Sequence, residues 1–590
     1  MKKFLISLIS ALFVLSLGAC KITTPPNNNE EPPQEEKPSE NEPPQETIDE
    51  DLLLSNRIET ILNNMSIKDK IGQMFMVGFE GTTIPSSLRQ TVKNRRFGNF
   101  IYFGANVADD EKVAPLSSSL QNILLEEVGL PGFISMDQEG GMVVRFANEA
   151  THFIGNMGLV ATNDPNNAFL VGQASGQELR HYGVNMNLAP SLDVNNNAQN
   201  PVIGIRSYAD SAEVVSSYGL KMIAGLQDSC VLSVAKHFPG HGDTTIDSHL
   251  GLPLIPHDKE RLYQVELAPF IDAINNGVDA IMSAHIIFSS FDDQYPATLS
   301  YKVLTELLRN ELKFQGLILT DEMRMNAIRS NFGIKEAAVL AIQAGVDILL
   351  YAESTSTSLE AYDGVLSAYQ SGIITEERIN DSVRRILTKK LKYGLFENYQ
   401  PFNNLKNSDF LNHQAFNKEL VRKSITLAKG DVSWFNNEKA TLLISSVCTR
   451  YPLIKGYQIN TDNNSFANVG KIYLNEAGVL DVAATVIKTS LTNNEINAIV
   501  NKAKNYAQVV IAVENVSTSQ ANLINRLANE NIDLVVVALK NPYDYLAYTN
   551  VKNYICTYGY FATSVEAVLD LLLGRFQAKG ILPVKVIGLN

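Results

Sequence analysis

Beyond residue 51 the chain alternates short, unbroken apolar runs with stretches whose apolar residues recur every three or four positions. Eight runs stand out, at 74–79, 100–103, 132–136, 184–188, 232–235, 280–284, 317–320 and 347–351. Because they are continuous rather than alternating, they read as strands buried on both faces, the signature of a parallel sheet covered by helices. The helical stretches lie between them, at 114–125, 167–182, 211–226, 262–275, 302–312 and 335–344. Ser66 with Asp69 ahead of Ile71 marks a helix start. Eight β-α alternations predict a (β/α)8 barrel of the TIM type over residues 51–398, with a doubly wound open sheet as the competing α/β arrangement. A second, smaller α/β pattern fills 399–590. Its apolar runs are 441–445, 509–513 and 534–539, with helical stretches at 494–507 and 520–529, and it reads as a parallel-sheet domain.

Polar residues at the ends of the predicted strands favour the barrel. Asp137, Asp193, Lys236-His237, His285 and Asp321 stand at or just after strand ends. Closing the sheet would bring all of them to one rim, the C-terminal face where barrel active sites lie.

The first 50 residues follow neither pattern. Met1-Lys2-Lys3 precedes an apolar run, too short to span a bilayer comfortably, that ends in Leu17-Gly18-Ala19-Cys20. That ending resembles a bacterial lipobox, which implies cleavage before Cys20, lipidation of that residue and an extracytoplasmic, membrane-anchored protein. Residues 21–50 hold seven of the 22 prolines and nine acidic residues, a composition that cannot build a core. As an extended tether they would reach about 90 Å. The remaining cysteines (Cys230, Cys448, Cys556) are too scattered for a disulfide framework and read as core residues. With 49 Lys+Arg against 63 Asp+Glu the net charge is −14, and no basic run offers a nucleic-acid surface.

The candidate chemistry is concentrated in four segments. The densest is Lys236-His237-Phe238-Pro239-Gly240-His241-Gly242-Asp243-Thr244-Thr245-Ile246-Asp247-Ser248-His249, which holds three of the eight histidines. Pro239, Gly240 and Gly242 forbid a helix, so the segment reads as a loop after a strand. A metal set of His237, His241, Asp247 and His249 is disfavoured, since His-x-x-x-His chelates on one face only in a helix. Asp247-Ser248-His249 suits acid/base work instead. The carboxylate can accept Nδ1–H, fix the tautomer and raise the basicity of Nε2, while a loop lets the imidazole approach substrate and then admit water. Second, Thr320-Asp321 closes an apolar strand and sets a carboxylate at the barrel mouth, as nucleophile, electrostatic stabiliser or helix cap. Third and fourth, Asp137-Gln138-Glu139-Gly140-Gly141 with Arg145, and Asn200-Pro201 with Arg206, offer carboxylates and guanidinium forks for sugar hydroxyls or for rim ion pairs.

Together these segments resemble glycoside hydrolase family 3, and within it the bacterial β-N-acetylglucosaminidases (β-hexosaminidases), over about residues 60–390. The resemblance implies Asp321 as nucleophile and His249, supported by Asp247, as general acid/base. It implies sugar contacts at Asp137, Arg145, Arg206, Lys236 and His237, and neither cofactor nor metal. The implied reaction releases N-acetylglucosamine, with retained configuration, from cell-wall glycans or muropeptides through a glycosyl-aspartate. An imidazole base repels an anionic acceptor less than a carboxylate does, so phosphate in place of water stays open, as does a β-glucosidase. A non-catalytic sugar-binding lipoprotein and a metal-dependent hydrolase are the readings from other classes. The segments 538–544 and 556–560 resemble the α/β domain that follows the barrel in longer members, here expected to frame substrate or support the barrel.

Overall fold

The computed structural model describes residues 50–589 apart from 147–149, 353–355, 403 and 455–456. The signal segment, Cys20 and nearly all of the proposed tether lie outside the described residues. Eight parallel strands close a barrel, each pairing with its neighbours in sequence: β1 (Phe75–Val77), β2 (Asn99–Tyr102), β3 (Phe133–Met136), β4 (Met186–Asn187), β5 (Leu232–Phe238), β6 (Ala280–Ser283), β7 (Leu317–Glu322) and β8 (Ile348–Tyr351). Apart from the last two residues of β7 every strand position is buried, as the unbroken apolar runs require. An open doubly wound sheet is therefore ruled out.

Two irregularities in the barrel ladder fall where charged residues stand. Ala235 pairs Ile281 and Phe238 pairs Ser283, so Lys236 and His237 occupy a register shift in β5. Likewise Leu319 pairs Ile348 and Glu322 pairs Leu350, which puts Thr320 and Asp321 in a shift in β7. Such bulges re-aim side chains. They also correct the sequence reading, because Lys236, His237 and Phe238 belong to a strand, and the loop starts at Pro239. The Ala189-Pro190, Lys236-His237 and Phe238-Pro239 peptide bonds are cis. The helix expected at 302–312 winds as a π-helix over Lys302–Glu311.

After the helices Glu376–Lys392 and Asn407–Ser424 comes a six-stranded sheet. Its strands are β9 (Thr426–Lys429), β10 (Thr441–Ser445), β11 (Val482–Val486), β12 (Gln508–Val513), β13 (Asp533–Ala538) and β14 (Tyr554–Cys556), in the order β9-β14-β13-β12-β10-β11. β9 runs antiparallel, so the sheet is mixed rather than parallel throughout. The edge strands β9 and β11 are half-buried and β14 has three residues, so none carries a long apolar run. The second unit rests on the barrel through Tyr451 Oη donating to Met142 O (2.9 Å) and Ile154 N–H donating to Asn417 Oδ1 (2.8 Å). The His152 ring packs there against Tyr451 and Phe561. Cys230, Cys448 and Cys556 are all buried. Among the described residues no helix is long and apolar enough to cross a membrane.

Candidate active site

The C-terminal ends of the barrel strands surround a cavity of about 590 Å³. Asp137, Arg145, Arg206, Lys236, His237, Asp247, His249 and Asp321, all singled out from sequence, line it.

At its floor lies an ionic cluster. Lys236 Nζ, buried to 3% side-chain exposure, donates to Asp137 Oδ1 and Glu139 Oε1, both at 2.8 Å. Arg145 holds the other Asp137 oxygen at 2.8 Å. Arg206 grips Glu139 with both arms of its fork, Nε to Oε2 at 2.9 Å and Nη2 to Oε1 at 2.7 Å. Burial alone would raise both carboxyls, but Lys236 with Arg145 holds Asp137 well below the usual carboxylate range, and Arg206 with Lys236 holds Glu139 at about 2. Burial would lower the Lys236 ammonium; Asp137 and Glu139 outweigh it and raise it. With all five groups charged, the floor is a fixed array of charge. It can orient hydroxyl groups without reorganising. Glu139 was not assigned a role from sequence, although it stands two residues from Asp137; a buried acid gives no local sign of the arginine that neutralises it.

Asp193 supports the next layer. Its carboxylate takes His237 Nδ1 at 2.7 Å, the His241 N–H at 2.7 Å and Ser191 Oγ at 2.8 Å. Burial opposes ionisation, but His237 and His241 with these bonds hold Asp193 far below the usual range. With Nδ1 so engaged, Nε2 is the His237 nitrogen left for a ligand. Burial pushes His241 down to about 4, and its ring bonds to Thr244 and Ser248, both at 3.0 Å.

The loop after β5 is anchored at its base and open at its tip. Asn200 Nδ2 donates to the carbonyls of His241 and Gly242, each at 2.8 Å. Gly242 packs so closely that a Cβ there would lie 1.7 Å from Val194 O. Ala327 N–H holds Ser248 O at 3.3 Å. At the tip, Asp247 Oδ1 accepts from both the backbone N–H (2.8 Å) and Nδ1 (2.7 Å) of His249, whose side chain is 61% exposed. The tautomer expected from sequence, Nδ1–H toward the carboxylate and Nε2 free, follows from this contact.

Asp321, half-buried at the end of β7, faces the same cavity. Its Oδ1 accepts the Glu322 N–H at 2.7 Å. Burial raises its carboxyl, but His237, His285, that N–H and Lys236 together lower it below the usual range. It caps no helix. Glu322 is occupied elsewhere: Oε1 accepts from Arg324 Nε (2.9 Å) and from the Ala352 N–H (3.1 Å). Both β7 carboxylates thus line the cavity, but Arg324 and the Ala352 N–H engage Glu322, whereas Asp321 is held only by the Glu322 N–H among the described residues. Arg450 and Lys540 of the second unit complete the lining, and no carboxylate of that unit is among the lining residues. The four residues weighed as a metal set do not converge: His237 turns to Asp193, His241 to Thr244 and Ser248, and His249 to Asp247.

Residues 66–389, more than half of the chain, match the glycosyl hydrolase family 3 N-terminal domain. The chain belongs to glycosyl hydrolase family 3. The family domain spans all eight barrel strands and every sequence-predicted cavity residue. Among relatives, β-hexosaminidase A of Pseudoalteromonas piscicida is 36% identical over 375 residues, 59% of this chain and 62% of that protein's length. The β-N-acetylglucosaminidase/β-glucosidase of Cellulomonas fimi is 26% identical over 562 residues, covering 89% of this chain and 95% of the relative. The solved structure of a family 3 β-N-acetylglucosaminidase from Paenibacillus sp. str. FPU-7 superposes with a TM-score of 0.80 at 36% identity, over 88% of this chain and 99% of that one. This family 3 chain therefore shares both its barrel and its second unit with that structure.

Proposed function

We propose that the protein is a retaining exo-β-N-acetylglucosaminidase that releases N-acetylglucosamine from peptidoglycan-derived glycans. The observation that carries this is the pairing of an ionised Asp321 with an Asp247-backed His249 on one cavity. The names of the Pseudoalteromonas, Cellulomonas and Paenibacillus relatives support the N-acetylglucosaminide as substrate class.

In the first step an Asp321 oxygen bonds to the anomeric carbon while the glycosidic C–O bond breaks. His249 Nε2–H gives its proton to the departing oxygen. Asp247 stabilises the imidazolium before transfer and keeps the neutral ring oriented afterwards. In the second step His249 takes a proton from water, the water oxygen bonds to the anomeric carbon and the bond to Asp321 breaks. Two inversions leave the configuration retained. Asp137, Arg145, Arg206, Lys236 and His237 hold the sugar hydroxyls, and the open loop tip admits water between steps.

The test is turnover of p-nitrophenyl N-acetyl-β-glucosaminide together with trapping by a 2-fluoro sugar. Asp321→Asn is expected to lower kcat/KM at least about 10³-fold and His249→Gln by about 10²- to 10⁴-fold. The trapped sugar should sit on Asp321. Label on Glu322, an inverted product or wild-type binding without turnover would overturn the reading. Faster turnover of the matching glucoside would make it a β-glucosidase. A phosphorolytic reading has one observation in its favour, the cationic Arg450 and Lys540 at the cavity, and sugar 1-phosphate formed in phosphate buffer would establish it.

We also propose, from Leu17-Gly18-Ala19-Cys20, that the mature chain is lipid-anchored outside the cytoplasm through Cys20. Cys20→Ala should release the enzyme from membrane fractions and abolish labelling with palmitate; retention on the membrane would refute the anchor.

A further inference from the structure

Outside the cavity, Asp243, His257 and Glu266 each offer a ligand atom within 4.8 Å of the other two. None of the three lines the cavity. They come from separate elements: Asp243 from the loop that carries Asp247 and His249, His257 from the turn before the helix Lys259–Gln264, and Glu266 from the segment after it. Asp243 Oδ2 already lies 2.7 Å from His257 Nε2. Glu266 is the informative member. It is 1% exposed, and its Oε1 meets Asn196 Nδ2 at 2.8 Å and Arg261 Nη2 at 3.2 Å. Among the described residues its Oε2 is buried with no hydrogen-bond partner, as is Asn196 Oδ1. Since Asn196 uses its Nδ2 on Glu266, turning the amide round would not satisfy that oxygen. Orphaned buried acceptors next to two carboxylates and an imidazole leave a local deficit of positive charge that Arg261 alone does not fill.

We propose that Asp243, His257 and Glu266 bind a divalent transition-metal ion that clamps the base of the His249 loop to the segment behind it. One imidazole and two carboxylates suit zinc and its neighbours, whereas calcium and magnesium favour all-oxygen shells. Bonds of about 2.0–2.2 Å set tetrahedral ligand atoms about 3.4 Å apart, so Asp243 Oδ2 and His257 Nε2 open from 2.7 Å, exchanging their hydrogen bond for the ion, while Glu266 closes in from within 4.8 Å. Two carboxylates and a neutral imidazole balance the ion's charge, and Arg261 stays on Oε1. Asp243 and His257 are only half-buried, which leaves an entry path.

The experiment is zinc titration of the full chain after dialysis against chelator, followed by calorimetry and metal analysis. One ion per chain is expected. Its affinity should fall at least about tenfold in Asp243→Asn and His257→Gln and be unchanged in His249→Ala. No stoichiometric binding by wild type, equal binding by the two ligand variants, or binding lost in His249→Ala would each overturn the proposal, the last by placing the ion on the acid/base pair. If the ligand variants fail to fold, cobalt spectra decide. Equal d–d bands in wild type and His249→Ala support the site; absent bands, or bands lost in His249→Ala, refute it. None of these readouts depends on glycosidase activity, so the ion and the proposed reaction stand or fall separately.

Discussion

At the scale of single residues, the cavity floor is held by charges that only their partners make tolerable. Glu139, with its side chain 2% exposed, is the clearest case, since both Arg206 and Lys236 are neutralised through it. Glu139→Gln leaves those cations short of a counter-charge, and a loss of about 3–5 kcal/mol in unfolding free energy is expected by denaturant titration. The sign of the pH effect follows from the same lowering. The folded carboxyl, at about 2 against an ordinary 4.5, contributes stability that is complete above 4.5 and lost as pH falls toward 2. Comparing the two proteins at pH 7 and pH 3 should therefore show the gap shrinking in acid. From sequence, Asp137, Arg145, Lys236 and Arg206 were all legible as cavity candidates. Glu139 was not, because its role depends on Arg206, 67 positions away.

At the scale of elements, the decisive features are the two register shifts and the loop anchored behind them. Lys236 and His237 in β5, and Asp321 in β7, sit where the ladder slips, so the barrel itself aims them. The loop is less constrained, and its base depends on close packing at Gly242. Gly242→Ala would drive a methyl into Val194 O. It is expected to lower kcat with a modest fall in Tm, because the displaced base moves Asp247 and His249 while the barrel core stays intact. A large Tm loss with kcat unchanged would contradict that division. The periodicity of the sequence was enough to place the loop, but it ended β5 three residues early. A run that turns polar reads as a strand end, and here the strand continues into the site.

At the scale of the whole molecule, the second unit closes the cavity with Arg450 and Lys540 and meets the barrel around His152. Burial lowers the His152 imidazole to about 4, while its Nε2 lies 2.9 Å from Gly141 O. Because the folded pKa lies below the ordinary 6.5, the unfolded chain takes up the proton first. The stabilisation is complete above pH 6.5 and is lost as pH falls toward 4. Tm should decline across that interval, and less steeply in His152→Gln. Equal slopes would mean that the interface does not sense the proton. His241, also lowered to about 4, adds to the decline in both proteins.

The apolar runs and helical spacing were sufficient for the barrel, because burial on both faces of a strand leaves its mark residue by residue. The strand-end polar residues and the Asp-Ser-His loop were equally readable, since their spacing is local. Only the folded chain separated acids that face the cavity from acids held in structural ion pairs. Asp279 and Asp347 also flank barrel strands, yet Lys389 with Lys392, and Arg309 with Arg385, neutralise them. Among the described residues Asp321 has no such ion pair, and it lines the cavity. That distinction, like the arrival of Arg450 and Lys540, rests on contacts between residues tens to hundreds of positions apart. Such pairings are decided by how the chain closes in space and leave no trace in a local pattern.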